Sequence, residues 1–172
     1  MRLRHKRSQP LLRALLITCG LVYFFPASVD ARPARISRSQ TAAAQSQLED
    51  LLRQSGYDVK KVKANSWYIE RVGKAHPKIR IVIGSSSASV AITAVVAPKR
   101  NLRLTADAYL KLMKLSYDLN YVRICMDPGD DLIVMAQLKV AWLNLQELKD
   151  TIEKVTAAAD RTYGEMRLFI TP

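Results

Sequence analysis

The chain has 172 residues, of which 27 are Lys or Arg and 15 are Asp or Glu, so it carries a net charge of +12 at neutral pH. These values are ordinary for one soluble globular domain and exclude a disordered or collagen-like chain. The two cysteines are too few for a disulfide scaffold or a zinc finger, so the fold must depend on burial of apolar side chains.

The first 31 residues have the pattern of an export signal. Residues 1–13 carry five basic residues and no acidic one, and residues 14–29 form an apolar run. Small residues at Val29 and Ala31 fit the requirement of a signal peptidase, which predicts cleavage after Ala31. As a helix, the apolar run would reach about 24 Å, which is short of a hydrocarbon core of about 30 Å.

Cleavage would leave an exported protein, periplasmic or extracellular, with no transmembrane span. Loss of five basic residues and Asp30 would lower the net charge from +12 to +8. A basic flexible tail, residues 32–42, would precede a single domain at residues 43–170. Two other interpretations stay open: the segment is retained as a membrane anchor, or Cys19 is acylated as in a lipoprotein.

The first half of the domain predicts a helix followed by a meander. Residues 41–54 carry apolar side chains at helical spacing, and Gly56 suits the left-handed conformation that often follows a helix. Four short runs rich in Val, Ile and aromatic residues follow, separated by turn residues. They are residues 57–62, 67–72, 78–83 and 88–96.

A second helix is predicted from the N-cap Thr105 to about Leu119. We expect its apolar face, directed at the core, to carry Ala106, Tyr109 or Leu110, Met113 and Tyr117.

The rest of the chain predicts a hairpin and a last helix. Residues 121–126 and 132–138 flank a turn, and the helix begins at Asn144. Its expected core stripe is Leu145, Leu148, Ile152, Val155 and Ala159. The order α-β-β-β-β-α-β-β-α indicates an α+β fold in which three helices pack on an antiparallel sheet of five to six strands.

Several predicted strands are apolar on both faces. If the helices cover one face of the sheet, an apolar patch remains on the other, and such a patch usually marks an interface with another protein or a second copy. Its expected members are Val82, Val95, Ile133 and Met135. Alternatively, the helices divide between the two faces and bury both.

No arrangement of residues that carries chemistry is recognisable. His76 is expected in a loop, and residues 84–87 are expected to form a turn rather than a serine nucleophile site. Three aspartates at residues 127–131 lack the spacing of a calcium loop. We therefore expect no catalytic residue, cofactor or metal, and basic residues beside Trp67 and Tyr68 are too weak a signal to predict a nucleic-acid partner.

Four short motifs follow one another along the domain. The first two are Leu51-Leu52 with Gly56-Tyr57, at the opening helix, and Asp118-Leu119-Asn120, at the helix-to-strand junction. The others are Asp130-Asp131-Leu132, at the last turn, and Ala158-Ala159-Asp160 with Tyr163, in the closing helix. In this order the motifs resemble the YbjN domain, whose fold is similar to that of type III secretion chaperones. The resemblance implies a non-enzymatic, partner-binding bacterial domain.

These observations predict an exported, non-catalytic module that binds another protein or itself as a homodimer. The alternative is a basic protein that attaches to anionic polymers or lipids of the cell envelope through its tail and its basic loops. The loop residues concerned are Lys60, Lys61, Lys63, Lys99, Arg100 and Arg103.

Overall fold

A computed structural model of the protein describes residues 38–171. The predicted signal segment, its cleavage position at Ala31 and residues 32–37 of the predicted tail lie outside the described residues. Among those that are described, none of the helices combines the length and the apolar character that crossing a membrane requires.

The described chain forms three helices and six strands, which confirms the predicted α+β fold. The helices are α1 (Arg38–Gln54), α2 (Ala106–Asp118) and α3 (Leu145–Met166). The strands are β1 (Lys60–Lys63), β2 (Ser66–Arg71), β3 (Ile79–Ser85), β4 (Ser89–Ala97), β5 (Arg123–Met126) and β6 (Leu132–Lys139). The first helix begins inside the predicted tail, because residues 38–41 contain neither Gly nor Pro to end it.

The six strands form one antiparallel sheet in the order β1-β2-β3-β4-β6-β5. The first four strands are the predicted meander. The chain then leaves through α2, forms β5 at the far edge and returns as β6, which fills the place between β4 and β5. Residues Gly84 and Ser85, expected in a turn, belong to β3, and the turn itself begins at Ser86.

The core lies on one face of the sheet. Alternate residues of the central strands, such as Ile81, Ile92 and Val134, are fully buried, and all three helices add side chains to the same cluster. The expected stripe of α3 is confirmed from Leu148 onward, whereas Leu145 is half-buried.

Local sequence signals determine where the helices begin and end. Thr105 and Asn144 cap α2 and α3, since their side-chain oxygens accept backbone hydrogen bonds at 3.2 Å and 2.9 Å. Gly56, which follows α1, has a φ of 80° and so adopts the expected left-handed conformation.

The expected core face of α2 is wrong. The helix buries Ala108, Leu112 and Leu115, and it leaves the predicted stripe in solvent. Both sides of this helix are apolar, so periodicity alone does not distinguish them. Burying the predicted stripe would also have required hydrogen-bond partners for the hydroxyls of Tyr109 and Tyr117, which solvent supplies in the observed orientation.

Candidate partner-binding surfaces

The outer side of α2 carries a row of exposed apolar side chains. Tyr109, Met113 and Tyr117 follow one another at intervals of four residues and are 51%, 71% and 90% exposed. Leu110 lies beside them and is 53% exposed. Residues four apart share a helix face, so these four side chains form one continuous surface, which we call the α2 stripe.

The buried apolar side of α2 sets the orientation that exposes this stripe, and two surface ion pairs support it. Lys111 pairs with Glu165 at 2.9 Å and Asp118 with Arg161 at 2.7 Å, and both partners belong to α3. Lys111 also holds the pKa of Glu165 below its ordinary value, through a hydrogen bond and its charge. The stripe is therefore presented by a helix that is fixed on its other side.

The four residues of the predicted sheet patch share the face opposite the core. Val82 and Met135 lie on either side of Thr93 in one cross-strand row, and Val95 lies opposite Ile133 in the next row. Val82, Val95 and Met135 are half-buried, whereas Ile133 is only 7% exposed although it is not part of the core cluster. The structure thus places the four side chains on one surface.

Cations surround Tyr68 at the β1 side of this same face. The Nζ atom of Lys60 lies 5.7 Å from the centre of the Tyr68 ring, and the guanidinium of Arg80 lies 5.0 Å from it. Arg80 and Lys78 also bind Glu70, at 3.3 Å and 3.2 Å, and these hydrogen bonds lower the pKa of that carboxyl. The charges at this edge are consequently partly neutralised within the protein.

The residues first considered for chemistry have structural partners. His76 lies in the β2–β3 loop with its ring 4.2 Å from that of Tyr163, and burial lowers its pKa. Asp127 accepts hydrogen bonds from the backbone of Gly129 and Asp131, as expected for a turn. Within residues 38–171, no group of three or more His, Cys, Asp or Glu side chains is arranged to hold a metal ion.

Cys125 is half-buried on β5, and burial raises the pKa of its thiol above the ordinary value. A thiol of this kind is a poor nucleophile, because the thiolate is the reactive form.

The basic loop residues do not form one patch. Lys60, Lys61 and Lys63 lie on the edge strand β1, whereas Lys99, Arg100 and Arg103 follow the end of β4, three strands away. Three of them are paired with acids: Lys60 with Asp58 at 3.6 Å, and Lys61 with Glu49 and Lys99 with Asp130, both at 2.6 Å. This division weakens the case for a single anionic surface as partner.

The fold resembles that of three solved structures at low sequence identity. The crystal structure of YbjN from E. coli, described as a candidate transcription regulator, is 13% identical with a TM-score of 0.57, and the match covers 74% of this chain and 95% of that one. A chain of the ExoU-SpcU heterodimer from the type III secretion system of Pseudomonas aeruginosa is 12% identical with a TM-score of 0.51, covering 69% and 96%. A chain of the ExsC-ExsE complex is 12% identical with a TM-score of 0.51, and the match covers 76% of this chain and 96% of that one.

No protein-family model matches the sequence, and neither does any curated protein. The resemblance is therefore structural, and it agrees with the order of the four sequence motifs. The chain has a YbjN-like fold, similar to that of type III secretion chaperones.

Proposed function

We propose that this protein is a non-catalytic module that binds other proteins. The observation that carries the proposal is the α2 stripe, because a continuous exposed apolar surface on a rigid helix usually marks an interface. Two of the similar structures are complexes by their descriptions, ExoU-SpcU and ExsC-ExsE, which is consistent with a fold used for binding.

A second copy of the chain is the partner that the stripe fits best. The three residues Tyr109, Met113 and Tyr117 are spaced symmetrically about Met113. A twofold axis through Met113 would therefore place each Tyr109 against the Tyr117 of the other copy, and twofold dimers are the commonest closed assembly. A stable interface of this kind buries about 1,000 Å² or more in total, so the flanking residues of α2 would take part.

Met113→Asp tests this proposal. The carboxylate would be desolvated at the centre of the interface, so we expect the variant to sediment as a monomer under conditions in which the parent protein is a dimer. Lys63→Glu is the control, since it changes the charge of an exposed residue on β1, at the sheet edge farthest from β5 and α2, and should leave the assembly unchanged. Met113 is 71% exposed, so both variants should keep the circular dichroism spectrum of the parent. A parent protein that sediments as a monomer and captures no protein from its native cell envelope would refute the proposal.

The sheet patch of Val82, Val95, Ile133 and Met135 is a second proposed partner surface. It lies on the opposite side of the sheet from α2, so a different partner could occupy it at the same time. Its apolar side chains support the proposal, since they cover neighbouring strands without a polar residue other than Thr93 between them.

We further propose that the module acts outside the cytoplasm, after cleavage that leaves Arg32 as the first residue. The order of basic segment, apolar run and small-residue site supports export. N-terminal sequencing of the protein from its native cells would detect this end. Recovery of a chain that still begins at Met1 and remains with membranes after a carbonate wash would instead support an anchor.

Ionic strength distinguishes protein binding from attachment to an anionic envelope. An apolar interface should persist or strengthen in high salt, whereas attachment through Lys and Arg should collapse. Loss of all association in high salt would make the basic-surface alternative the better account.

A further inference from the structure

We propose that a notch at one end of the sheet binds an extended peptide through carboxylates that the peptide carries. The inference rests on the proposed protein-binding function and adds the chemistry of a partner at a site separate from the α2 stripe. The notch is a cavity of about 850 Å³, bounded by the start of β4, the end of β6 and the connection from α2 to β5.

The notch exists because β5 is shorter than the strand beside it. Pairing between the two begins at Arg123 and Met135, whereas β6 continues to Lys139, opposite Ser89 of β4. Residues 136–139 of β6 therefore have a strand on one side only. Backbone N–H and C=O groups of successive residues in a strand point to opposite sides, so two of these four residues direct their hydrogen-bonding groups into the notch.

The electrostatics of the notch favour an anion. Arg123 and Lys139 line it and are both exposed, and its lining contains no acidic residue. Neither cation makes an ion pair with any acid in residues 38–171. Other described cations are also without an ion pair, but this cavity combines two unpaired cations with a lining that contains no acid.

The spacing of the two cations indicates the pattern of carboxylates. Arg123 is level with Met135, and Lys139 lies four residues farther along β6 on the same face of the sheet. Four residues of extended chain span about 13 Å, so the cations stand at the two ends of the notch. In an extended peptide, side chains separated by four residues also share a face at about that distance. The site therefore fits two carboxylates at positions i and i+4 with an apolar residue between them.

Apolar and aromatic side chains complete the notch. Leu119 and Tyr121 line it, and Tyr121 is 76% exposed. Trp142 lies outside the lining but is 68% exposed, and its ring centre is 4.6 Å from the Nζ of Lys139. Tyr121 has a φ of 71°, a conformation that costs energy for a residue with a bulky side chain. This strained residue lines the notch and lies two residues before β5 begins to pair with β6, so the strain is located at the notch itself.

The probe is a fluorescently labelled peptide with the core Glu-Thr-Leu-Thr-Glu, acetylated and amidated, added to the whole protein. We expect it to bind at least about tenfold more tightly than the matched peptide Gln-Thr-Leu-Thr-Gln, because only the first supplies carboxylates to both cations. A carboxylate could also come from the end of a chain. The Gln peptide with a free carboxyl terminus tests this source. If it binds more tightly than the amidated Gln peptide, the notch is assigned to protein C-termini and not to carboxylate side chains.

The double variant Arg123→Glu/Lys139→Glu should lose binding of the Glu peptide by about tenfold or more and gain binding of a Lys-Thr-Leu-Thr-Lys peptide. The matched control is Lys63→Glu/Arg100→Glu, which makes the same charge change at exposed residues away from the notch and should bind the Glu peptide as the parent does. Tyr121→Gly is a further variant, since it removes the aromatic ring and relieves the backbone strain. It should weaken binding of the peptide, and it also removes the contact of the ring with the Nζ of Lys154, which lies 4.7 Å from the ring centre.

Equal binding of the Glu and Gln peptides, or equal loss in the notch and control variants, would overturn the proposal. Full displacement of the peptide by inorganic polyphosphate with higher affinity, or binding to vesicles of anionic lipid that depends on Arg123 and Lys139, would assign the notch to another class of ligand. None of these results bears on dimerisation through the α2 stripe, which Met113→Asp tests separately. Failure of the notch proposal is therefore distinguishable from failure of the proposed function.

Discussion

The backbone N–H of His76, in the loop between β2 and β3, donates a hydrogen bond of 2.8 Å to the carboxylate of Asp160 in α3. The same carboxylate accepts from the backbone of Ala75 at 2.8 Å and of Lys74 at 3.0 Å. A single side chain thus fastens three successive residues of a loop to the helix that forms the centre of the core. The ring of His76, packed against Tyr163, adds a second contact between the same two elements.

Asp160→Ala should lower the free energy of unfolding by about 2 to 3 kcal/mol, because it leaves three backbone donors without their charged acceptor. Urea denaturation measures the loss. Asp160→Asn should cost less, since its amide oxygen can still accept from two of the three donors. Equal losses in the two variants would show that the carboxylate, rather than the number of hydrogen bonds, determines the effect.

Gly73→Ala should weaken the same contact between the β2–β3 loop and α3, this time by a change in the loop. A Cβ at Gly73 would overlap the Asp160 carboxylate, so the loop or the helix would have to shift. We expect a loss of about 1 to 3 kcal/mol in urea denaturation. In an Asp160→Ala background only Ile79 Cδ1, 3.0 Å from the added Cβ, remains in the way, so the cost of Gly73→Ala should shrink. Additive losses would contradict the geometry.

The same carboxylate predicts a pH dependence. Burial alone would raise the pKa of Asp160, but the three backbone hydrogen bonds outweigh it and hold the pKa below its ordinary value. A carboxyl whose pKa is lower in the folded state stabilises the fold above its unfolded pKa of about 3.9, and this contribution is lost as pH falls through the folded value. The difference in stability between the parent and Asp160→Asn should therefore be constant near neutral pH and shrink below about pH 4. A difference that stayed constant down to pH 2 would refute the assignment.

Ile152→Asp should unfold the domain, because Ile152 is fully buried in the core stripe of α3 and an unpaired carboxylate there costs several kcal/mol. Ala157→Gln on the exposed side of the same helix is the control and should stay within about 0.5 kcal/mol of the parent. Glu153→Lys is unsuitable for that purpose, since Glu153 accepts hydrogen bonds of 2.9 Å from both Tyr57 and Arg71. Circular dichroism in urea measures the free energy of unfolding of each variant. Equal losses of stability at Ile152 and Ala157 would contradict the assignment of a buried and an exposed side to α3.

Met135→Lys tests the sheet patch. Met135 is half-buried on the face opposite the core, so the variant should keep its helix and strand content and lose whatever association the patch supports. Val134→Lys, one residue away on the covered face, should unfold. Sedimentation and circular dichroism on the same samples measure both effects. Unfolding of Met135→Lys would show that the face is covered, and unchanged assembly and partner capture would show that the patch is not an interface.

The sequence predicts most elements of this fold because their signals are local. The caps at Thr105 and Asn144, the left-handed Gly56 and the alternation of the strands each depend on a few neighbouring residues. The boundaries of the strands agree with the expected runs to within about three residues, with the largest shift in β1. The position of β6 between β4 and β5 depends on pairing between distant segments, which no local pattern encodes.

The candidate surfaces are only partly predictable for the same reason. Successive side chains of a strand point to opposite faces of the sheet. Once the register is known, the common face of Val82, Val95, Ile133 and Met135 is therefore predictable from the sequence. The orientation of α2 depends on which of two apolar sides packs against α3 and the sheet. The regular spacing of Tyr109, Met113 and Tyr117 was the available signal, but it is equally typical of a core face. The notch beside β6 required knowledge of where β5 ends.

The strand order also determines when the sheet can be completed. In β4, seven of the eight residues from Val90 to Ala97 are apolar, and one edge of this strand pairs with β6, which is synthesised after α2 and β5. Until β6 has emerged from the ribosome, the newly made chain exposes an apolar strand edge, which is a template for aggregation. Chains that end after α2 would never cover it. The risk of misassembly in this protein is therefore greatest during synthesis, before its last hairpin and α3 are available.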